Sequence, residues 1–181
     1  MGLALDSLFI EMLASDTVLM QAIENRLYST DIPVPDAEYE NTPVPYVIVH
    51  FDGLTNDDTT KDNPYESDFD TVNISIWVCA KDREALATLT QSIRQTILTE
   101  VMWTRRFMDL ADKEGAVLND SNSYHIKVWR NYDTMTGMIP EDYRFTAEGI
   151  QYDPAKPSFM QVLNYSCDVR NNLNYDEQEE G

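Results

Sequence analysis

Apolar and polar positions alternate most regularly between Phe69 and Ala80. Val72, Ile74, Ile76, Val78 and Ala80 are interleaved with Thr71, Asn73, Ser75, Trp77 and Cys79. This period of two predicts a strand with one core face and one polar face that carries two large aromatics, Phe69 and Trp77. Strict alternation also argues against a full layer of helices on the second face. Pro45 to Phe51 (Pro-Tyr-Val-Ile-Val-His-Phe) is dense in β-branched and aromatic residues and reads as another strand. Two more are predicted at Tyr124–Tyr132 and Ser158–Arg170.

A helical period governs other stretches. Leu5, Leu8, Phe9, Met12 and Leu13 fall on one face of a helix over about residues 3–13. Ser15 or Asp16 then offers an N-cap for a second helix, whose stripe continues through Leu19, Ile23 and Arg26 or Leu27. Asp82 precedes a third helix, Arg83 to Glu100, with Leu86, Leu89, Ile93 and Ile97 in a narrow stripe. Between these elements, Ser29–Pro45 holds four prolines and four acids and reads as an extended linker. Three further segments, 52–68, 101–122 and 133–157, read as excursions, although Tyr143–Ile150 has the pattern of a local pairing.

The resulting order is helix, helix, strand, strand, helix, strand, strand. It predicts an α+β domain over residues 1–170: a mainly antiparallel or mixed four-stranded sheet with helices packed on one face. The uncovered face would display Phe69, Trp77 and Trp129, which suits a partner surface. Residues 171–181 end in Asp176-Glu177-Gln178-Glu179-Glu180-Gly181 and read as an acidic, flexible C-terminal tail.

Composition narrows the function classes. The chain has 181 residues, with 32 acids against 13 bases and a net charge of −19. A broad nucleic-acid grip needs Lys and Arg to neutralise phosphates, and an anionic membrane makes the same demand, so neither partner is expected. More than half of the charge sits between residues 31 and 70, where eleven acids meet one base, Lys61. Asp57, Asp58, Asp62 and Glu66 place four of those acids in the excursion that follows the Pro45–Phe51 strand. No apolar run is long enough to span a bilayer, and the first residues lack the basic start of a secretory signal. Two cysteines are too few for a disulfide scaffold.

Candidate chemistry is sparse. There is no glycine-rich phosphate loop and no Gly-x-Ser-x-Gly elbow. His50, Cys79, His125 and Cys167 fall on four predicted strands, and zinc accepts such a set, but no pair has short ligand spacing. The acids of 52–70 lack the calcium-loop spacing. No catalytic residue, metal or cofactor is expected. A small metal-assisted enzyme remains the alternative from a different class.

The order of segments resembles a known family. Leu8–Leu13, Ser15-Asp16-Thr17-Val18-Leu19, Arg26-Leu27-Tyr28, the proline-bearing linker and Thr42-Pro43-Val44-Pro45-Tyr46-Val47-Ile48-Val49 are similar to the tail terminator (tail completion) proteins of long-tailed bacteriophages. Val72–Ala80, followed at once by Asp82-Arg83-Glu84-Ala85-Leu86 and a helix ending Ile93-Arg94-Gln95-Thr96-Ile97-Leu98, continues the likeness, and Phe159–Arg170 stands where a last strand belongs. The segments 101–122 and 133–157 make this chain longer than the family pattern.

The resemblance implies a non-enzymatic virion protein of the tail or neck, made in the host bacterial cytoplasm. It implies a homo-oligomeric ring, expected as a hexamer, at the head-proximal end of the tail tube. Such a ring stops tube polymerisation and meets the tail tube protein on one side and the head-closure or connector protein on the other. DNA passes through its lumen without specific binding, and a carboxylate-rich wall would repel phosphates in transit. A head-closure or connector-type neck ring is the neighbouring alternative. Phe69, Trp77, Trp129, Asp57, Asp58, Asp62 and Glu66 are the expected interface residues.

Overall fold

The computed structural model describes residues 5–29, 43–56, 69–114 and 141–170. Two short helices, α1 (Leu5–Ser15) and α2 (Thr17–Ala22), lead into a three-residue strand, β1 (Leu27–Ser29). Then follow β2 (Tyr46–Thr55), β3 (Phe69–Ala80), a long helix α3 (Arg83–Glu114), β4 (Glu141–Ala147), β5 (Gln151–Asp153) and β6 (Ser158–Arg170). The fold is α+β. The described sheet has six strands in the order β1-β2-β3-β6-β4, with β5 also paired to β6. β1 runs parallel to β2, and every other pairing is antiparallel.

Four expectations change. The sheet is larger than four strands. First, the helical stripe of α2 stops before Arg26. Glu24 and Asn25 take positive φ angles of 52° and 59°, which turn the chain, and Leu27–Ser29 then lies along the edge of β2. Second, β2 runs past Phe51 to Thr55, because a bulge at Asp52 absorbs the turn-like Asp-Gly pair. Third, α3 continues through much of the 101–122 excursion to Glu114. Residues 101–114 contain no Pro or Gly, and Gly115 is the first helix breaker after them. Fourth, the 133–157 excursion contains β4 and β5, both held by β6. The predicted strand Tyr124–Tyr132 lies outside the described residues, as does the C-terminal tail.

Packing explains why these elements stay together. Val72, Ile74, Ile76, Val78 and Ala80 are all buried, as the alternation requires. They join Val47 and Val49 of β2 and Leu163, Tyr165 and Cys167 of β6. Phe9, Met12 and Leu13 of α1, Leu19 and Ile23 from the second helical segment, and Leu86, Leu89, Ile93 and Ile97 of α3 close over them. Each such aliphatic or aromatic side chain contributes roughly 1.5–3 kcal/mol when removed from water. Tyr165 sits between Phe9 and Phe145, with ring centroids 5.4 and 5.1 Å away, and the Arg94 guanidinium caps Phe145 at 4.3 Å. All three helices therefore cover one face of the sheet. Among the described residues no helix is long and apolar enough to cross a membrane.

The caps follow the sequence. Asp82 Oδ1 accepts the Ala85 amide at 2.8 Å and starts α3. Asp16 Oδ1 accepts the amides of Val18 and Leu19, both at 3.0 Å, and starts α2.

Candidate functional site

Register arranges the side chains of the face opposite the helices in rows across β2, β3 and β6. Tyr46, Cys79 and Met160 make one row; Ile48, Trp77 and Val162 the next; His50, Ser75 and Asn164 the third. Gly53, Asn73 and Ser166 follow, then Thr55, Thr71 and Asp168. The face therefore grades from apolar to polar along the strands.

The face is less bare than alternation alone predicts. Cys79 and Tyr46 are buried, since the β5–β6 turn and Tyr28 crowd that end. Ser75 is buried too, beneath a chain of polar contacts. Trp77 is partly buried, as are Ile48 and Val162 beside it.

The polar chain is built by the β2 bulge. Gly53 takes φ +146°, a conformation side chains resist, and the extra residue Asp52 turns its carboxylate onto this face. Asp52 Oδ1 accepts the Ser75 hydroxyl at 2.9 Å and lies 2.7 Å from His50 Nδ1. A carboxylate oxygen accepts there, so Nδ1 is the donor nitrogen. Trp77 Nε1 donates to Ser75 Oγ at 3.1 Å. The His50 ring stacks on Trp77 with centroids 5.8 Å apart and planes 20° apart. These contacts fix the indole on the sheet surface.

The same three residue types make nucleophilic triads elsewhere, but the order here is wrong for that chemistry. Asp52 stands between Ser75 and His50, so the imidazole has no contact through which to take the serine proton. Ser75 is also only 3% exposed. The chain orients Trp77; it does not activate a nucleophile.

The described members of the candidate metal set do not come together. Cys167 faces the core, whereas Cys79 faces the other side of the sheet, two rows from His50. His125 lies outside the described residues. Among the described residues no three His, Cys, Asp or Glu side chains gather to hold an ion. Burial pushes both thiols up, Cys167 to about 12 with the neighbouring Asp168 charge adding to the effect, so neither forms a ready thiolate.

Of the residues expected at an interface, Trp77 is where the alternation puts it. Phe69 is the first residue of β3, in register with Arg170. Trp129, Asp57, Asp58, Asp62 and Glu66 lie outside the described residues. Sequence reasoning missed Asp52, Asp168 and Arg144. Asp168 accepts the Thr71 hydroxyl at 2.8 Å and the Arg144 guanidinium at 3.1 Å, tying three strands together. Only the weak local pattern at Tyr143–Ile150 hinted at the strand that carries Arg144.

Two hollows flank the Trp77 row. One, of about 640 Å³, is lined by Tyr46, Cys79, Tyr152, Asp153, Lys156 and Met160. The other, of about 490 Å³, is lined by Asp52, Asn73, Arg144, Thr146, Asn164 and Ser166. A partly buried apolar ridge between two recesses, inside a polar margin, has the anatomy of a protein-contact surface. Comparison of the chain with protein-family models and with curated proteins gives no match to either.

Proposed function

We propose that the protein is a structural component of a long-tailed bacteriophage virion, a tail terminator that assembles as a ring at the head-proximal end of the tail tube. In this role it stops tube polymerisation and joins the tail to the head connector. The observation that carries the reading is the Ile48–Trp77–Val162 row: a stiffly held apolar ridge on the side of the sheet that no described helix covers. A monomer gains nothing by keeping such a ridge at its surface, whereas an assembly subunit uses it. The order of elements along the chain supports the same reading. So does the charge of −19, which suits a conduit wall that must not retain DNA.

The contact regions are the sheet face around Trp77 and the segment following β2, each meeting a neighbouring copy or a docking partner. Analytical ultracentrifugation and negative-stain microscopy of the purified protein test the ring. A mass near six copies with a central hole is the expected result, and a monomer at every concentration is the opposite one. In phage, loss of the protein should give tails of uncontrolled length or tails unjoined to heads. The surface assignment fails if Trp77→Ala and deletion of 55–66 both leave oligomer and partner binding unchanged.

A further inference from the structure

Carboxylates around the Trp77 face include Asp52, Glu148, Asp153 and Asp168. Each uses a single oxygen in its bonds to described residues. Asp52 uses Oδ1 for Ser75 and His50, and Asp168 uses Oδ1 for Thr71 and Arg144. Asp153 uses Oδ1 for the Ala155 and Lys156 amides, and Glu148 uses Oε1 for Asn164. Among the described residues their second oxygens have no side-chain partner. Two bases on this side, Arg144 and Lys156, are already engaged. Arg144 lies on Asp168, and the Lys156 ammonium sits over the Tyr46 ring at 5.5 Å. The face therefore has anionic acceptors to spare, with Arg170 at its far end in register with Phe69.

We infer that this face docks a lysine- or arginine-bearing extended segment of a different protein, with apolar side chains on the Ile48–Trp77–Val162 ridge and cationic ones reaching Asp52 and Asp153 in the two hollows. The inference deepens the assembly role proposed above, on which it rests, by naming the chemistry of one partner. An apolar centre supplies most of the affinity, and charge fixes register and excludes wrong partners. One carboxylate lies in each recess, on either side of the ridge, so a segment that alternates apolar and basic residues satisfies both at once. A second copy of the chain is a poor occupant. Seated face to face, it would set these carboxylates against their own counterparts.

The test uses the full chain and three labelled peptides of about eight residues: alternating Lys-Leu, alternating Lys-Ser and alternating Glu-Leu. Fluorescence anisotropy should show saturable binding of the Lys-Leu peptide, at least about tenfold tighter than either control. Ile48→Thr combined with Val162→Thr should weaken it by at least about tenfold with net charge unchanged. Asp52→Asn combined with Asp153→Asn should weaken it and flatten its salt dependence. Equal binding of the Lys-Ser peptide, no effect of either double variant, or no saturable binding overturns the inference. So does loss of the oligomer in the Thr double variant, which would make the face a contact between copies and leave the ring intact as an idea. A monomer that binds the Lys-Leu peptide on this face refutes the ring and leaves the docking chemistry standing. If the Thr variant fails to fold, Asp153→Asn alone, which leaves the Asp52–Ser75–Trp77 chain untouched, decides.

Discussion

Thr96, in the middle of α3, donates its hydroxyl to Asp16 Oδ2 at 2.7 Å, while Oδ1 of the same carboxylate receives the first amides of α2. One side chain thus caps one helix and fastens it to another. Burial alone would raise the Asp16 pKa. The bonds from the Leu19 amide, the Thr96 hydroxyl and the Val18 amide outweigh it and hold the group below its ordinary value of 3.8.

A depressed carboxylate stabilises the fold above its unfolded pKa, and that contribution fades as pH falls through the lower folded value. Asp16→Ala is therefore expected to cost about 0.5–2 kcal/mol near neutrality and less in acid. Asp16→Asn should retain most of the cap. Urea titrations at about pH 7 and about pH 3 check this, and an Ala penalty that grows in acid would contradict it.

The aromatic stack through Tyr165 makes a second prediction. Phe9 is fully buried against Tyr165, which in turn meets Phe145 from β4. Phe9→Ala leaves a hole where helix and sheet meet and should destabilise by about 3–5 kcal/mol. A loss below about 1 kcal/mol in urea unfolding would mean that the helix layer does not close on the sheet as described.

Gly53 tests the bulge. A methyl group there meets nothing within 4 Å, so crowding cannot penalise it. The φ of +146° can. Gly53→Ala should cost about 1–3 kcal/mol through backbone strain alone and should loosen the Asp52–Ser75 bond. An unchanged melting temperature would show that the bulge is readily replaced by regular pairing.

The thiols give a fourth. Cys79 and Cys167 are buried on opposite faces of the sheet, and both resist ionisation. Neither should react with Ellman's reagent in the native protein, and both should react in guanidinium. A thiol whose folded pKa is raised adds stability below its unfolded pKa and loses it as pH rises towards the folded one. Stability should therefore decline from about pH 9 upwards, less steeply in Cys167→Ala. Rapid labelling of either thiol in the native state would rule out this burial.

Much of the frame is local and was legible as such. The alternation in β3 named its buried residues, because side chains on a strand leave by opposite faces whatever its neighbours are. Asp16 and Asp82 announced two helices, because a cap needs only the next three residues. The short strands were not legible. Leu27–Ser29 is too brief for a period and becomes a strand only by lying along β2. β4 and β5 exist because β6, paired with β3 along one edge, is long enough to offer its other edge to both, β5 near its start and β4 further on. The length of α3 was hidden by arginines among apolar residues, which mask a stripe without breaking a helix.

The site divides in the same way. Sequence alone established that Trp77 belongs on a polar strand face, that the chain is strongly anionic, and that familiar catalytic motifs are missing. Those properties depend on neighbouring residues and on composition. That Asp52 turns onto that face, bonds Ser75 from the next strand and so pins the indole was decided only by tertiary structure. So was the placing of Ile48 and Val162 on either side of Trp77, 29 and 85 positions away along the chain. Strand register and one bulge fix these meetings, and both are set by which strands pair and where one residue is skipped.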